Sequence, residues 1–387
     1  MYRIGQEEIN AVGKVIESKL LFKINDGLQE SMHAEEDLKR IIGCDYALLM
    51  TSGHAALVSA LTAMGIGPGD EVIVPAYTYI ATAMAVVAVG AIPVIVEVDE
   101  TLTISPADIE KNITSRTKAI LPVHIQAFPC DMDAINAIAK KYNLYVLEDA
   151  CQSDGGSYKG KRLGTLGTAG VFSFNYFKII STGEGGALVT NDKEIFERAL
   201  IYHDSSAVAF FGEQLKDVDS QTFCGNEYRT NEITASILRV QLSRLDGILM
   251  DLRKNKKKVM RALDSIAKFV PSNDEEGDCG ITLAFRFDTE TEARDFSKKV
   301  GGVLPIDTGK HVYKNWNCIM EKRGALHPAM DPFKMEINKD CRQNYSVDMC
   351  PKTLDLLSRT VYLPMNPDAT DCELDALIES VRKALNA

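Results

Sequence analysis

A lysine between apolar flanks, an aspartate and a glycine-rich turn fall close enough together in the middle of this chain to share one piece of chemistry. YVLED at 145–149 is an apolar run ending in a carboxylate, and in an open α/β fold such a strand delivers its last residue to the carboxyl edge of the sheet, where ligands bind. FSFNYFK at 172–178 then sets the Ser173 hydroxyl and the Lys178 amine on a second apolar segment, followed by the turn STGEGG at 181–186 and a new strand, ALVT at 187–190. A lysine amine held in a dry pocket can join an aldehyde as a Schiff base, and a carboxylate paired with a pyridinium nitrogen keeps that ring an electron sink. Those two needs describe pyridoxal phosphate, with Lys178 as covalent anchor and base and Asp149 as partner of the ring nitrogen. Taken singly, a lysine is by default a solvated loop residue and an aspartate a helix cap. Here the apolar flanks and the pairing favour the chemical reading.

The cofactor's phosphate needs a cradle, and the elements before Asp149 supply one. The strand YALLM at 46–50 runs directly into Thr51, Ser52, Gly53 and His54 and then a helix over 55–64. Free backbone amides and the helix dipole converge on one spot there, so Ser52, Gly53 and His54 are expected phosphate ligands, joined by Ser173. Upstream lie an amphipathic helix over 6–19, with Ile9, Val12, Val15 and Ile16 on one face, and a second helix over 31–42. Downstream, a buried strand ending at Pro75 opens into Tyr77, Thr78, Tyr79 and a small-residue helix to 89. Strands over 92–98 and 119–123 flank a helix at 106–112, and a helix over 133–141 returns the chain to the Asp149 strand. This alternation predicts a mostly parallel sheet. His124 closes one of these strands; a buried, satisfied histidine and a catalytic one are both open readings.

FSFNYFK followed by STGEGGALVTND resembles the active-site signature of the DegT/DnrJ/EryC1/StrS sugar aminotransferases, which reads Ser-Phe, three residues, Lys, then Gly-Glu-Gly-Gly. EDACQ fits the same family's Glu-Asp-Ala-x-Gln segment at Glu148, Asp149, Ala150 and Gln152. The resemblance implies an α/β, fold-type I (aspartate aminotransferase-like) enzyme with a mostly parallel seven-stranded sheet and a smaller C-terminal α/β domain. It implies that Gln152 contacts the cofactor near its ring hydroxyl and that Tyr79 stacks on the ring. It also implies a homodimer with shared active sites, because the segment around Asn226, Glu227 and Arg229 resembles one that reaches the neighbouring subunit's cofactor phosphate. The donor would be glutamate and the acceptor a keto sugar. Two departures stand out: His54 replaces the usual threonine, so only its backbone contact carries over, and Glu227 replaces an asparagine, where a carboxylate beside a phosphate is repulsive unless protonated or turned away.

Composition narrows the alternatives. A chain of 387 residues predicts two domains, here 1–245 for the cofactor and 246–387 for the smaller unit, bridged by helices over 233–245 and 248–266. A net charge of -11 disfavours nucleic acid and anionic membrane surfaces. With neither a long apolar run nor a leader pattern, a cytoplasmic protein is the expectation. The nine cysteines form no Cys-x-x-Cys pair, so reduced thiols and no metal are expected. The basic run from Arg253 to Lys258 reads as a solvated helix face. A dehydrating branch of the family carries histidine at the lysine position, against which Lys178 speaks; a catalytically silent relative would not need Lys178, Asp149 and Gln152 together. A nicotinamide dehydrogenase lacks its Gly-x-Gly-x-x-Gly after a strand.

The acceptor is read from the smaller domain, where Lys310, His311, Tyr313, Lys314 and Arg323 are candidate substrate contacts. This segment and Glu227 differ from what the resemblance predicts for a nucleotide-linked sugar. They favour the branch that aminates the eighth carbon of a 3-deoxy-octulosonate, whose carboxylate needs a lysine or arginine. A nucleotide-diphosphate keto-deoxysugar is the alternative, and a segment that merely packs the domain is a third.

Overall fold

A computed structural model describes residues 3–207 and 218–386 of the chain. The short apolar runs assemble into one seven-stranded sheet. Its first strands are β1 (Tyr46–Met50), β2 (Glu71–Pro75), β3 (Ile92–Val96), β4 (Thr117–Ile120) and β5 (Tyr145–Asp149). A small hairpin of β6 (Ser157–Tyr158) and β7 (Lys161–Arg162) precedes β8 (Ala169–Ser173) and β9 (Gly186–Thr190). The order is β1-β9-β8-β5-β4-β2-β3. Neighbours run parallel except around β9, which is antiparallel to both β1 and β8. Strands β2, β3, β8 and β9 are buried at every position, so they read as continuous runs without an exposed polar face.

Seven helices surround or connect these strands: α1 (Gln6–Ser18), α2 (Glu30–Leu38), α3 (Gly53–Ala63), α4 (Ala81–Ala88), α5 (Pro106–Asn112), α6 (Met132–Tyr142) and α7 (Lys193–His203). Helix α3 is apolar on nearly every side because it lies between α4, α7 and the sheet. The helix expected over 31–42 is shorter: after α2 the residues Lys39–Gly43 widen into a π turn.

The two bridging helices are one. Helix α8 (Glu232–Leu263) continues through Asp246 and Gly247, with Leu238, Leu242, Leu245, Ile248, Leu252, Val259 and Leu263 buried along its length. A glycine inside a helix costs only about 1 kcal/mol, and the unbroken apolar stripe overrides it. Residue 245, the expected division between domains, lies inside this helix. Beyond it, β10 (Thr282–Arg286) and β11 (Thr360–Pro364) form an antiparallel pair, packed with α9 (Glu290–Val300) and α12 (Asp371–Asn386). Between them lie α10 (Asn317–Met320), α11 (Pro351–Ser358) and a run of single 3-10 turns.

Strand β5 is fixed by a buried charge. Glu148 is fully buried; its Oε1 accepts from the amides of Leu166 and Gly167 at 2.6 Å each, and its Oε2 accepts from the Gly164 amide at 2.8 Å. The Nε2 of His124 lies 3.1 Å from the same oxygen. The Cys130 amide donates to Nδ1 at 3.1 Å, so the ring's hydrogen sits on Nε2 and is given to Glu148. His124 is therefore a satisfied structural residue. Glu148→Gln would turn an NH2 group toward amide donors that have no other acceptor. Breaking a buried charged network of this kind is expected to lower stability by roughly 3–5 kcal/mol, read from denaturant midpoints at constant slope; an unchanged midpoint would show that the network does not hold the strand.

Candidate active site

Side chains alternate along a strand, so pinning Glu148 on one side turns Asp149 to the other, at the carboxyl end of β5. Asp149 is 5% exposed. Its Oδ2 accepts from the Thr82 hydroxyl at 2.8 Å and its Oδ1 from the Cys151 amide at 3.1 Å. Thr82 in turn lies 2.8 Å from the Thr78 hydroxyl. Since the single Thr82 hydrogen goes to Asp149, Thr78 is the donor of that pair. The carboxylate is thus oriented from two sides, with acceptor capacity left for a ring N–H. Thr82 and Thr78 have no signal in the sequence beyond their place in a small-residue helix start, and both were missed.

The cradle for a phosphate is built by close backbone approach. Ser52 caps α3, its hydroxyl accepting from the Ala55 amide at 3.1 Å. Beneath it, a Cβ on Gly186 would come within 2.3 Å of the Ser52 carbonyl carbon and 2.4 Å of the Gly53 nitrogen. A Cβ on Gly53 would come within 2.9 Å of the Ser173 Cβ and 2.8 Å of the Cys151 Sγ. Glycine is therefore needed on both sides, and Ser52, Gly53 and Ser173 are brought to one spot at a helix N-terminus, where the donor chemistry suits a phosphate. His54, one step into α3, is exposed. Desolvation lowers its pKa below the usual histidine value, against the Ala81 backbone and the Asp149 charge.

The segment expected to be apolar is an irregular loop by Lys178: β8 stops at Ser173, Phe174 is buried, and Tyr176 and Phe177 point outward, Phe177 at 84% exposure. The loop is laced to the glycine turn. Phe174 N donates to Gly185 O, Tyr176 N to Gly183 O and Thr182 N to Phe174 O, each at 2.9 Å, and the Asn175 amide holds both oxygens of Glu184 at 3.0 Å. Gln152 accepts from the Gln126 amide at 2.9 Å, and Gln126 adopts a left-handed conformation with φ 51°.

The smaller domain contributes an edge. Thr78 N donates to His311 O at 3.0 Å, Ile80 N to Lys310 O at 3.1 Å and Tyr313 N to Ala76 O at 3.0 Å. The pairing sets the His311 ring 5.4 Å from the Tyr79 ring and the Lys310 Nζ 5.0 Å over it, a cation–π distance. Burial and the Lys178 and Lys310 charges push the His311 pKa below its usual value, despite the Thr308 carbonyl. The other expected substrate contacts are not drawn to Tyr79 in the same way. Tyr313 is fully buried, its hydroxyl donating to Val347 O at 2.8 Å and accepting from Cys350 N at 3.0 Å, so it packs the segment. Lys314 lies in the next turn, and Arg323 is exposed beyond α10, paired with Glu321 at 2.8 Å.

The segment of Asn226, Glu227 and Arg229 lies beside the turn that follows β1: Thr51 N donates to Tyr228 O at 3.0 Å. Within this chain Arg229 pairs with the buried Asp204 and with Glu227 at 2.6 Å, and covers the Phe22 ring. Asn226 donates to the Tyr202 hydroxyl at 2.7 Å. The Glu227 carboxylate also accepts from the Arg229 backbone amide at 3.3 Å.

A family model described as the DegT/DnrJ/EryC1/StrS aminotransferase family matches residues 2–301. The spore coat polysaccharide biosynthesis protein SpsC of Bacillus subtilis is 32% identical over 98% of this chain and 94% of its own length. A GDP-perosamine synthase of Escherichia coli O157:H7 is 43% identical over 210 residues, covering 54% of this chain and 56% of that enzyme. Among solved structures, that of 3-amino-5-hydroxybenzoic acid synthase matches with a TM-score of 0.80 at 27% identity, over 100% of this chain and 98% of that one.

Thr82→Val keeps the shape of the side chain and removes its hydrogen bond to Asp149. Hydrogen bonds to charged groups contribute roughly 1.5–3 kcal/mol, so pyridoxal phosphate should dissociate from this variant at roughly ten- to hundredfold lower concentration of competitor, measured by equilibrium dialysis. Retention equal to wild type would remove Thr82 from the site.

Proposed function

We propose a substrate class and a set of residue roles from one premise: the chain belongs to the DegT/DnrJ/EryC1/StrS aminotransferase family and is a pyridoxal-phosphate-dependent sugar aminotransferase of fold type I. Pyridoxal phosphate supplies an aldehyde that binds an amine and a protonated ring that draws electrons from the carbon beside that amine. Asp149 keeps the proton on the ring nitrogen. Lys178 would anchor the cofactor and, with its Nζ free, would serve as the base that takes up and returns the proton of the substrate carbon. The Ser52 and Gly53 turn, the His54 backbone and Ser173 hold the phosphate; Tyr79 covers the ring, and Gln152 steadies the edge near the ring hydroxyl.

The acceptor is a keto sugar destined for a surface polysaccharide, with glutamate as the donor. The names of the two curated relatives support this class, and the GDP-linked one supports an acceptor carried on a nucleotide. The observation that carries the substrate reading is Lys310 held over Tyr79 beside His311, which puts one cation at the mouth of the site for an anionic group on the acceptor. A second reading, a free octulosonate, is supported by the burial of Tyr313 and the pairing of Arg323 with Glu321, because a single cation suits one carboxylate better than a long diphosphate carrier. A homodimer completes the proposal. The outward Tyr176 and Phe177 beside Lys178 support a covering second copy, with Asn226 and Arg229 reaching its phosphate site across a two-fold axis.

The enzyme in its aminated-cofactor form, offered keto sugars with and without a nucleotide, should regain the aldehyde absorption with its own acceptor. Recovery only with nucleotide-linked sugars eliminates the octulosonate; recovery only with the acid sugar eliminates the nucleotide carrier. Lys178→Ala should fold, lose the absorption band that borohydride removes, and lose turnover by at least about a thousandfold. Sedimentation should give a dimer that Arg229→Ala loosens; a fully active monomer would contradict the shared site.

A further inference from the structure

The loop after β4 carries two successive residues in the left-handed region, Gln126 at φ 51° and Ala127 at φ 65°. Neither is a glycine, and such a pair persists only where its surroundings fix it. Contacts from both sides do so. The Ala127 amide donates to His124 O at 3.2 Å and the Phe128 amide to Ile125 O at 2.9 Å, while His124 N donates to Asp149 O at 3.1 Å. The Cys130 amide closes the loop on the His124 ring, which Glu148 holds. From the smaller domain, Thr282 opens β10 and is 4% exposed; its hydroxyl donates to the side-chain oxygen of Gln126 at 2.9 Å.

The left-handed turn directs one group at the active site, the backbone N–H of Gln126, which donates to Oε1 of Gln152 at 2.9 Å. A backbone amide can only donate, so the atom it meets is the side-chain oxygen, and the Gln152 amide cannot flip without losing this bond. No described residue accepts from the Nε2 of Gln152, so both of its hydrogens are left to donate elsewhere. Gln152 is half-buried and lies three residues past Asp149, next to Cys151, whose amide holds the Asp149 carboxylate.

We propose that Gln126 is a positioning residue for the cofactor and that Thr282 of the smaller domain holds it in place, so that the Gln152 amide presents its Nε2 to the cofactor's ring oxygen. This rests on the reading of Gln152 as the contact near the ring hydroxyl. That oxygen carries negative charge, so the N–H half of the amide matches it and the carbonyl half would repel it. Neither Gln126 nor Thr282 needs to touch the cofactor. The contacts run from β10 through Gln126 to Gln152, and they give the smaller domain a hold on the cofactor separate from the edge at Lys310.

The test titrates the absorption of the holoenzyme against pH. The yellow band responds to the proton on the nitrogen that the cofactor shares with Lys178. Without that proton the ring oxygen depends more on outside donors, so an N–H from Gln152 favours the unprotonated form and lowers the midpoint. Gln152→Leu should therefore raise the midpoint by about half a unit or more. Thr282→Val keeps the shape of the side chain, removes its hydroxyl, and should raise the midpoint in the same direction by less. The double variant should titrate as Gln152→Leu alone, because Thr282 acts through Gln152. An unmoved midpoint in Gln152→Leu sinks the reading of Gln152 itself. A shifted Gln152→Leu beside an unshifted Thr282→Val, or a Thr282→Val shift that persists in full without Gln152, overturns only the positioning role; a merely structural role would lower stability and leave the midpoint alone. Should Thr282→Val fail to fold, Gln126→Asn carries the same expectation, since asparagine tolerates the left-handed region but is too short to reach Thr282. In cofactor-free protein the Gln126 amide hydrogen should exchange roughly three- to tenfold faster in Thr282→Val, relative to the amides of β5. Equal protection would show that Thr282 does not hold the turn.

Discussion

Two adjacent carboxylates on one strand set the geometry of this protein. Glu148 and Asp149 must face opposite sides of β5, because side chains alternate along a strand. Glu148 is tolerable inside only because three amides of the 164–167 turn and the His124 ring converge on it. A one-residue slip in register would present Asp149 to that ring of donors and bury Glu148 in the cleft. The turn before β8 is thus shaped by the Glu148 charge, and the same pinning fixes the aim of Asp149. From Asp149 the order spreads to Thr82 and Thr78, and so to the start of α4 and Tyr79.

The same logic shows which parts of the molecule could be read from the sequence. Strands buried on both faces leave continuous apolar runs, and helices at 106–112 and 290–300 carry a proline start or a capping box, so these elements were legible. So was the place of Asp149 at the carboxyl end of β5, which follows from the apolar run before it. The lysine loop was read as an apolar segment because hydrophobicity alone does not distinguish Phe174, which is buried, from Phe177, which points outward. The helix break expected between residues 245 and 248 is absent because local propensity is weak against a stripe of buried leucines. Thr82 could not be found: its bond to Asp149 spans 67 positions and leaves no periodicity. The edge over 305–338 is built from single 3-10 turns held by tertiary contacts, so no pattern announces which of Lys310, Tyr313 and Arg323 meets the cleft.

That edge also couples the two parts of the chain. Backbone pairing of residues 76–80 with 310–313 ties the strand-to-helix turn that carries Tyr79 to a segment of the smaller domain. Trp316, fully buried, donates its indole hydrogen to Lys310 O at 2.9 Å, and Tyr313 locks the following loop through Val347 and Cys350. The two large aromatic groups therefore act as anchors beneath Lys310 and His311, leaving those two basic side chains free to face the ring of Tyr79. Side chains set on such a support can change without disturbing the sheet.

Glu227 illustrates how a departure from a family pattern can be absorbed. The guanidinium of Arg229 is held between Asp204, which is buried, and Glu227, which is half exposed, while its flat face rests on Phe22. A buried carboxylate is costly to leave unpaired, so the Asp204 contact is the one that persists. The Glu227 contact is solvent-screened and worth little by itself. An anion approaching Arg229 can thus displace Glu227 at small cost while Asp204 keeps the arginine in position. The carboxylate that departs from the family pattern is thus a ligand of the arginine and the weaker of its two partners.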